Sequence, residues 1–297
     1  MNVGIIGSGN WGKALATLAA EAGHQPRMGY RGRPPGGFPG TPNLPALMRE
    51  SDLVLIATAP SGVRETIRSS RPGPGDAVVI ASRGLEPDTG MWLSQVVTAE
   101  SRCLRVGAIA GPALAAEVMR RRPSALVAAS RFDAIAALTQ DALHSSICRV
   151  YTSNDLRGVE LAGAMVDVLA VAVGAADALN LGLGVHGVVV TRGLAEAARL
   201  GEALGARPST FAGLAGVGDL VASSSHSDHP GYQAGQALAR GSSRSDYVLQ
   251  KAQAVLTMAR KAGVELPLTE AIAAIAAGQV KLRLALDALM RRDATAE

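Results

Sequence analysis

Lysine is scarce in this chain of 297 residues. Of its 29 basic residues only four are lysines (Lys13, Lys251, Lys261 and Lys281), and none lies between positions 13 and 251. Arginine does not release its proton near neutral pH, so chemistry needing an amine from the middle of the chain is excluded. Aromatic residues, at 3%, are too few to form the stacking platforms of single-stranded nucleic-acid binding. The net charge of +4 is modest, and Arg120-Arg121-Arg122 reads as a short solvated loop rather than a phosphate track. Cys103 and Cys148 have neither metal-ligand spacing nor the look of a disulfide framework. No uncharged apolar stretch reaches the length of a membrane span, and no signal peptide precedes the first strand. The expectation is a soluble, cytoplasmic protein with a small-molecule partner and no nucleic acid, membrane or metal.

What is present is core-forming material. Hydrophobic residues make up 48% and charged residues 18%, which argues against disorder, and the length suits two domains. Residues 3–6 (Val-Gly-Ile-Ile) form a short apolar run that meets Gly7-Ser8-Gly9-Asn10-Trp11-Gly12, and an alanine-rich stretch of helical period follows as far as Gly23. Strand, glycine turn and helix in that order give a G-x-G-x-x-G motif its meaning. Gly7 permits the tight turn, Gly9 lets backbone approach a pyrophosphate, and Gly12 lets helix and sheet pack closely. The helix N-terminus then offers free N–H groups to phosphate. Where the second strand ends, an acid would bind the ribose hydroxyls of NAD. This chain has Arg31 and Arg33 there, which suits the 2′-phosphate of NADP, so NADP (NADPH) is expected in preference to NAD.

Further apolar runs at 53–58, 77–81, 106–110 and 125–129 alternate with helical segments, while 34–45, rich in Pro and Gly, reads as loop. This pattern predicts a Rossmann-type, doubly wound parallel sheet over residues 1–150. From Asn154 onward the strand signal fades. Stretches at 156–178, 185–204, 246–262 and 268–290 have helical period and are apolar nearly all round, predicting an all-helical domain over 151–297. The fold class is therefore α/β plus all-α. Ligands of such sheets sit beyond the carboxyl ends of the strands, which points to the exits Ala59-Pro60-Ser61, Ser82-Arg83-Gly84 and Gly111-Pro112-Ala113.

The chain resembles the NAD(P)-dependent glycerol-3-phosphate dehydrogenase family nearly end to end. The residues carrying the likeness are Gly7 to Ala16, Ala59-Pro60-Ser61, Ser82-Arg83-Gly84-Leu85-Glu86 and the run from Gly111 to Val118. They continue with Asn154-Asp155-Leu156-Arg157-Gly158-Val159-Glu160-Leu161, Thr191-Arg192-Gly193-Leu194-Ala195-Glu196 and Gly213-Leu214-Ala215-Gly216-Val217-Gly218-Asp219-Leu220. The resemblance implies hydride transfer between nicotinamide and the central carbon of dihydroxyacetone phosphate, and a homodimer built through the helical half. With the glycine turn, the two arginines and the strand exits read above, the cofactor candidates are Gly7, Ser8, Gly9, Asn10, Trp11, Gly12, Arg31, Arg33, Pro60, Arg83 and Ala115. The substrate candidates are Arg83, Gly111, Ala113, Asp219 and Ser223.

The chain also departs from the family pattern. The lysine that polarises the family's substrate oxygen falls at Val166, and its neighbouring asparagine at Asp167. The phosphate-gripping Arg-Asn pair falls at Pro230 and Gly231, the lysine of the Ser-Lys-Gly turn at Arg83, and the late Glu-Gly pair at Tyr247 and Val248. No neighbouring lysine is expected to substitute for the missing one, and a pocket with fewer positive charges disfavours a phosphate dianion. The catalytic candidates are then Asp219, Asp167, His186 and Arg83. Asp219 has the alternative of bracing its turn and His186 that of a structural role, while the polar loop from Ser223 to His229, with His226 and Asp228, reads as loop rather than metal site. Three functions stay open. They are an NADPH-dependent reductase of a small carbonyl or imine other than dihydroxyacetone phosphate, a genuine glycerol-3-phosphate dehydrogenase, and a non-catalytic NADP sensor or scaffold.

Overall fold

The computed structural model describes every residue except 33, 226–228, 243 and 291–297. The first half runs β1 (Asn2–Ile6), α1 (Asn10–Glu21), β2 (Gln25–Gly29), β3 (Gly40–Thr41), α2 (Leu44–Glu50), β4 (Leu53–Ile56), α3 (Pro60–Ser70), β5 (Ala77–Ile80), α4 (Leu93–Glu100), β6 (Arg105–Ala110), α5 (Ala115–Met119), β7 (Ser124–Ser130), α6 (Asp133–Leu143) and β8 (Cys148–Ser153). The eight strands form one sheet in the order β3-β2-β1-β4-β5-β6-β7-β8. The order in which strands join the sheet reverses between β1 and β4, which run parallel, so their exits lie side by side there. Leu-Val-Leu-Ile in β4 and Ala-Val-Val-Ile in β5 are buried along their whole length, as central parallel strands covered on both faces must be.

The sheet departs from expectation in three places. β7 runs antiparallel to β6, pairing Ala108 with Ala129, so the sheet is mostly rather than wholly parallel. The reason is length: α5 has five residues and spans about 8 Å, against about 20 Å for β6, too short to return the chain to the far end of the sheet. β3 lies within the stretch expected to be loop, where Gly40 and Thr41 pair with Met28 and Gly29 at the sheet edge. β8, at the other edge, buries Cys148 and Val150 and exposes Arg149 and Tyr151. That period-two alternation was too short to stand out.

The second half runs α7 (Leu156–Ala178), α8 (Leu183–Ala203), α9 (Pro208–Phe211), a single π-helical turn at Leu214–Gly218, α10 (Asp219–Ser224), α11 (Pro230–Ala239), α12 (Asp246–Ala262), α13 (Pro267–Ala276) and α14 (Leu282–Met290). The stretch 268–290 is thus two helices, because Gly278 takes a left-handed φ of 73° and ends the first. Among the described residues α7 is the one helix long and apolar enough to cross a membrane, but almost all of it is buried inside the fold. Its all-round apolarity reflects neighbours on every side: the sheet, α8, α10, α11 and α12. The α7–α11 seam is especially close. A Cβ at Gly235 would lie 2.0 Å from the Val171 carbonyl, and one at Gly174 2.1 Å from that of Tyr232, so neither position accepts a side chain without parting the helices. One core joins the halves, drawing Val54, Ile56, Val78 and Ile80 from the sheet and Val166, Leu169, Val255 and Ile272 from the helices.

Several buried acids of the helical half are structural. Asp155 caps α7, accepting from Gly158 N at 3.0 Å, and also accepts from Arg207 N at 2.9 Å and Thr210 Oγ1 at 2.6 Å. Glu196 accepts from Leu268 N at 2.6 Å and Thr269 N at 3.2 Å at the start of α13. Glu160 accepts from Ser94 N at 2.9 Å at the start of α4. Each satisfies N–H groups that a helix start leaves without partners.

Candidate active site

The glycine turn after β1 separates into two packed positions and one open one. Gly7 has φ 129°, and a Cβ there would lie 2.4 Å from the Ala57 carbonyl. A Cβ at Gly12 would lie 1.9 Å from the Gly7 carbonyl. Among the described residues nothing would lie within 4 Å of a Cβ at Gly9, and no side chain caps the N-terminus of α1. The turn is therefore tight behind and open in front, with backbone N–H groups facing the opening, a shape that fits a pyrophosphate. Thr58 Oγ1 is buried at the exit of β4 with no hydrogen-bond partner among the described residues. Beside it, a Cβ on Gly62 would meet the Arg31 guanidinium at 3.8 Å. Ser8 and Asn10 edge the opening. Trp11, half-buried, donates its indole Nε1–H to the Ala81 carbonyl at 2.8 Å, which leaves its ring and backbone rather than its N–H for a ligand. Arg33 lies outside the described residues.

Five charged or titratable side chains converge from widely separated segments where the strand exits meet the helical half. Arg83, after β5, lays its stem over Gly163 of α7. Its Nη2 donates to Asp219 Oδ1 at 2.6 Å and its Nη1 to Ser223 Oγ at 3.2 Å. Asp219, fully buried at the start of α10, also accepts from Ser223 Oγ at 3.2 Å and Gly111 N at 3.4 Å. Burial pushes its carboxyl up to about 6, helped by the nearby charge of Asp167 and opposed by Arg83. Asp167, buried in α7, is ion-paired with Lys251 of α12. It also faces His229 Nε2 at 3.4 Å and Arg83 Nη1 at 3.9 Å. Burial works to raise the Asp167 carboxyl, but Lys251, His229 and Arg83 outweigh it and hold the group below the usual carboxylate range. His229 precedes α11 and keeps a buried Nδ1 without a partner among the described residues.

The cluster has a buried layer and an accessible one. Asp219, Ser223, Asp167 and His229 expose 7% or less of their surface. The Arg83 and Lys251 side chains expose 23% and 17%. The Lys251 ammonium lies 5.3 Å from the centre of the Tyr247 ring and 3.4 Å from the position a Cβ on Gly84 would take. Gly84 therefore leaves the space that the lysine uses.

Of the candidates named from sequence, the fold brings Arg83, Asp167, Asp219 and Ser223 together, with the strand exit at Gly111. Pro60 and Ala115 begin α3 and α5 at neighbouring exits, half-buried. Three expectations need correction. His186 does not join the cluster: its Nε2 pairs with Asp177 Oδ1 at 2.6 Å, and Asp177 is ten residues, about 15 Å, along α7 from Asp167. Ala113 is 3% exposed and packs in the core beneath the sheet, so it offers a ligand no side-chain surface. The expectation that no lysine could serve near position 166 also fails. Val166 is buried core, but Lys251 arrives at the adjacent residue from α12, and sequence distance hid it. His229 was likewise missed, having been read as loop; His226 and Asp228 lie outside the described residues. Pro230 and Gly231 have packing roles, since Pro230 starts α11 and a Cβ on Gly231 would meet the Asp167 carbonyl at 2.6 Å. A cavity of about 980 Å³ lies elsewhere, lined by α7, α8 and α13 with Arg192, Glu196 and Arg199 among mostly apolar residues.

An open phosphate turn after β1 and a charged cluster beyond neighbouring strands, covered by a helical half, define a nicotinamide-nucleotide oxidoreductase. The chain belongs to the NAD-dependent glycerol-3-phosphate dehydrogenase family: residues 35–136 match the model of that family's N-terminus and 155–287 that of its C-terminus. It is similar to a glycerol-3-phosphate dehydrogenase (NAD(P)+) of Trichormus variabilis, 38% identical over 301 residues that cover 97% of this chain and 96% of the relative. One from Methylibium petroleiphilum is also 38% identical, covering 100% of this chain and 98% of its own. The crystal structure of glycerol-3-phosphate dehydrogenase from Coxiella burnetii superposes with a TM-score of 0.88 at 27% identity, covering 98% of this chain and 99% of that one.

Proposed function

We propose that the protein reduces a small carbonyl substrate, and oxidises the corresponding alcohol, with NADP preferred over NAD. The single observation that carries this reading is the meeting of Arg83, Asp167, Asp219, His229 and Lys251 beyond the β5 exit, at the same end of the sheet as the open glycine turn. When bound, the nicotinamide supplies or accepts the hydride. The chain's own residues do the rest. Gly7, Gly9 and Gly12 shape the phosphate seat, Arg31 beside Gly62 offers charge for a 2′-phosphate, and Arg83 and Lys251 present donors to the substrate oxygen. The sheet half, 1–150, takes the nucleotide and the helical half, 151–297, closes over the substrate.

Charge balance supports a substrate less negative than a phosphate dianion. Arg83 is offset by Asp219 and Lys251 by Asp167, and Pro230 and Gly231 add no cation. A second reading, dihydroxyacetone phosphate itself, rests on the names of the near full-length relatives. The test titrates NADPH and NADH by fluorescence, then follows nicotinamide oxidation with dihydroxyacetone phosphate, dihydroxyacetone and a panel of small ketones, aldehydes and imines. Turnover of the phosphate ester at ordinary enzyme rates selects the second reading. NADPH binding without any turnover selects a sensor. The apolar cavity beside exposed Leu183 and Val188 of α8 is the face we assign to a homodimer, and light scattering of the purified chain tests that.

A further inference from the structure

We propose that Lys251 is the acid–base residue of this site, giving its proton to the substrate oxygen during reduction, with Asp167 as the positioning residue that holds the ammonium in place. The proposal rests on the oxidoreductase reading above.

Elimination among the groups present leads to it. A carbonyl that gains a hydride at carbon needs a proton at oxygen, from a group that can release one and can be reached. Arg83 is reachable but keeps its protons. Asp219 is fully buried, with its oxygens occupied by Arg83, Ser223 and Gly111 N. Asp167 is buried and held ionised by the cations around it. His229 is 7% exposed and aims Nε2 at Asp167 and Arg83 rather than outward. Tyr247, on the lysine's own helix, has its hydroxyl raised by burial above the ordinary phenol range. Lys251 alone among these combines a transferable proton with a partly open position.

The surroundings are arranged around that amine. It enters from α12 and is anchored by Asp167 of α7, with the Arg83 carbonyl 3.4 Å away. The Tyr247 ring flanks it, and Gly84, at φ 113°, withholds the side chain that would crowd it. The charged or titratable groups facing it are therefore Asp167 from α7, Arg83 from the β5 exit, His229 before α11 and Tyr247 on α12, with Asp219 of α10 behind Arg83. The step balances simply. The carbonyl carbon gains the hydride, the C=O π pair moves to oxygen, and oxygen takes a proton from the ammonium. Lys251 is left as the neutral amine and is reprotonated from solvent through its exposed side. Alcohol oxidation runs the same transfers in reverse.

The test uses the intact protein and the scarcity of lysine. Lys251→Met should lower kcat by roughly 10²–10⁴-fold while the NADPH dissociation constant moves less than about threefold. Lys251→Arg, which keeps the charge but not a transferable proton, should recover less than a tenth of the wild-type kcat. Lys251→Ala should regain reduction rate with added methylamine in proportion to the methylammonium concentration, and oxidation rate in proportion to the free base. The double variant Lys251→Met/Asp167→Asn guards against misfolding, since it removes both charges and should stay folded yet inactive. Independently of turnover, acetic anhydride labelling read by mass spectrometry reports only four lysines; NADPH with dihydroxyacetone should protect Lys251 and not Lys261 or Lys281. A Lys251→Arg variant within about threefold of wild type, or a Lys251 labelled equally with and without ligands, overturns the acid–base role and leaves the oxidoreductase reading intact. A wild type that binds NADPH but reduces no carbonyl overturns that reading, and the proton-transfer role with it.

Discussion

The glycine turn and the charged cluster lie a few strand exits apart and are built on opposite principles. The turn takes six consecutive residues, and its function is carried by backbone and by the absence of Cβ atoms. The cluster takes its side chains from the β5 exit, α7, α10, the residue before α11, and α12, and functions through ion pairs between segments far apart in sequence, those of Arg83 joining the two halves. The turn is thus set by local sequence, whereas the cluster is a product of tertiary structure. The two regions should fail differently when altered.

The largest effect is expected in the cluster. Lys251→Met leaves the buried Asp167 without its closest cation, and breaking a buried pair from one side costs about 3–5 kcal/mol. Arg83 and His229 still face Asp167, which sets the expectation at about 3 kcal/mol. Removing both charges in Lys251→Met/Asp167→Asn should return stability to within about 1 kcal/mol of wild type. Urea midpoints of the two single variants and the double variant measure this. An additive cycle would show that the pair is not coupled.

In the turn, one substitution at two sites separates packing from binding. Gly12→Ala drives a methyl group into the Gly7 carbonyl and should cost about 2–3 kcal/mol. Gly9→Ala meets open space and should leave stability within about 0.5 kcal/mol. It should nevertheless weaken NADPH about tenfold, or about 1.4 kcal/mol, by standing where the pyrophosphate must approach. Thermal melts and fluorescence titrations of both variants suffice. Equal stability losses would mean that Gly9 is a packing glycine too.

The same contrast explains how much was legible in the sequence. The turn, most strands and the long helices could be read because each is a local pattern of apolar period and small residues. The cluster was half legible. Arg83, Asp167 and Asp219 stood in ordered motifs, but Lys251 and His229 carried no local signal, because nothing in their neighbouring residues says that α12 and the start of α11 reach α7. His186 failed for the complementary reason: a polar residue in an apolar stretch looked functional until Asp177 and the helix ends supplied its partner. The signal that could have revealed Lys251 was Asp167 itself. A carboxylate set between valines in a buried helix demands a cation, and few lysines were left to provide one.

Acid titration sharpens the comparison further. Asp219 is raised from 3.8 to about 6, so folding favours its protonated form. The penalty is fully present above pH 6 and is relieved as pH falls towards 3.8, a gain on the order of 3 kcal/mol. Asp167 is lowered, so its contribution is present above pH 3.8 and is lost only as pH falls below that. Glu160, raised from 4.5 to about 7, adds a gain of the same sign as Asp219 over its own window. The diagnostic quantity is therefore the difference between wild type and Asp219→Asn, whose stability should be flatter between pH 4 and 6 in urea titrations. Parallel curves would place the Asp219 titration outside that window.

The smallest effect should appear at the join of the two regions. Arg31 leaves β2 beside the turn and stands over Gly62 at the start of α3, exposed to solvent. There its charge is screened by water and salt, so it adds little to folding, and Arg31→Ser should shift stability by less than about 0.5 kcal/mol. Its proposed partner is the 2′-phosphate, a group that distinguishes NADPH from NADH and touches nothing in the charged cluster. A charge-assisted contact at such a site is worth about 1.4 kcal/mol, or tenfold. Arg31→Ser should therefore weaken NADPH about tenfold, leave NADH unchanged and leave kcat unchanged with either nucleotide. The NADPH loss should shrink as ionic strength rises. If NADH weakens equally, Arg31 serves the turn's architecture rather than the choice of nucleotide.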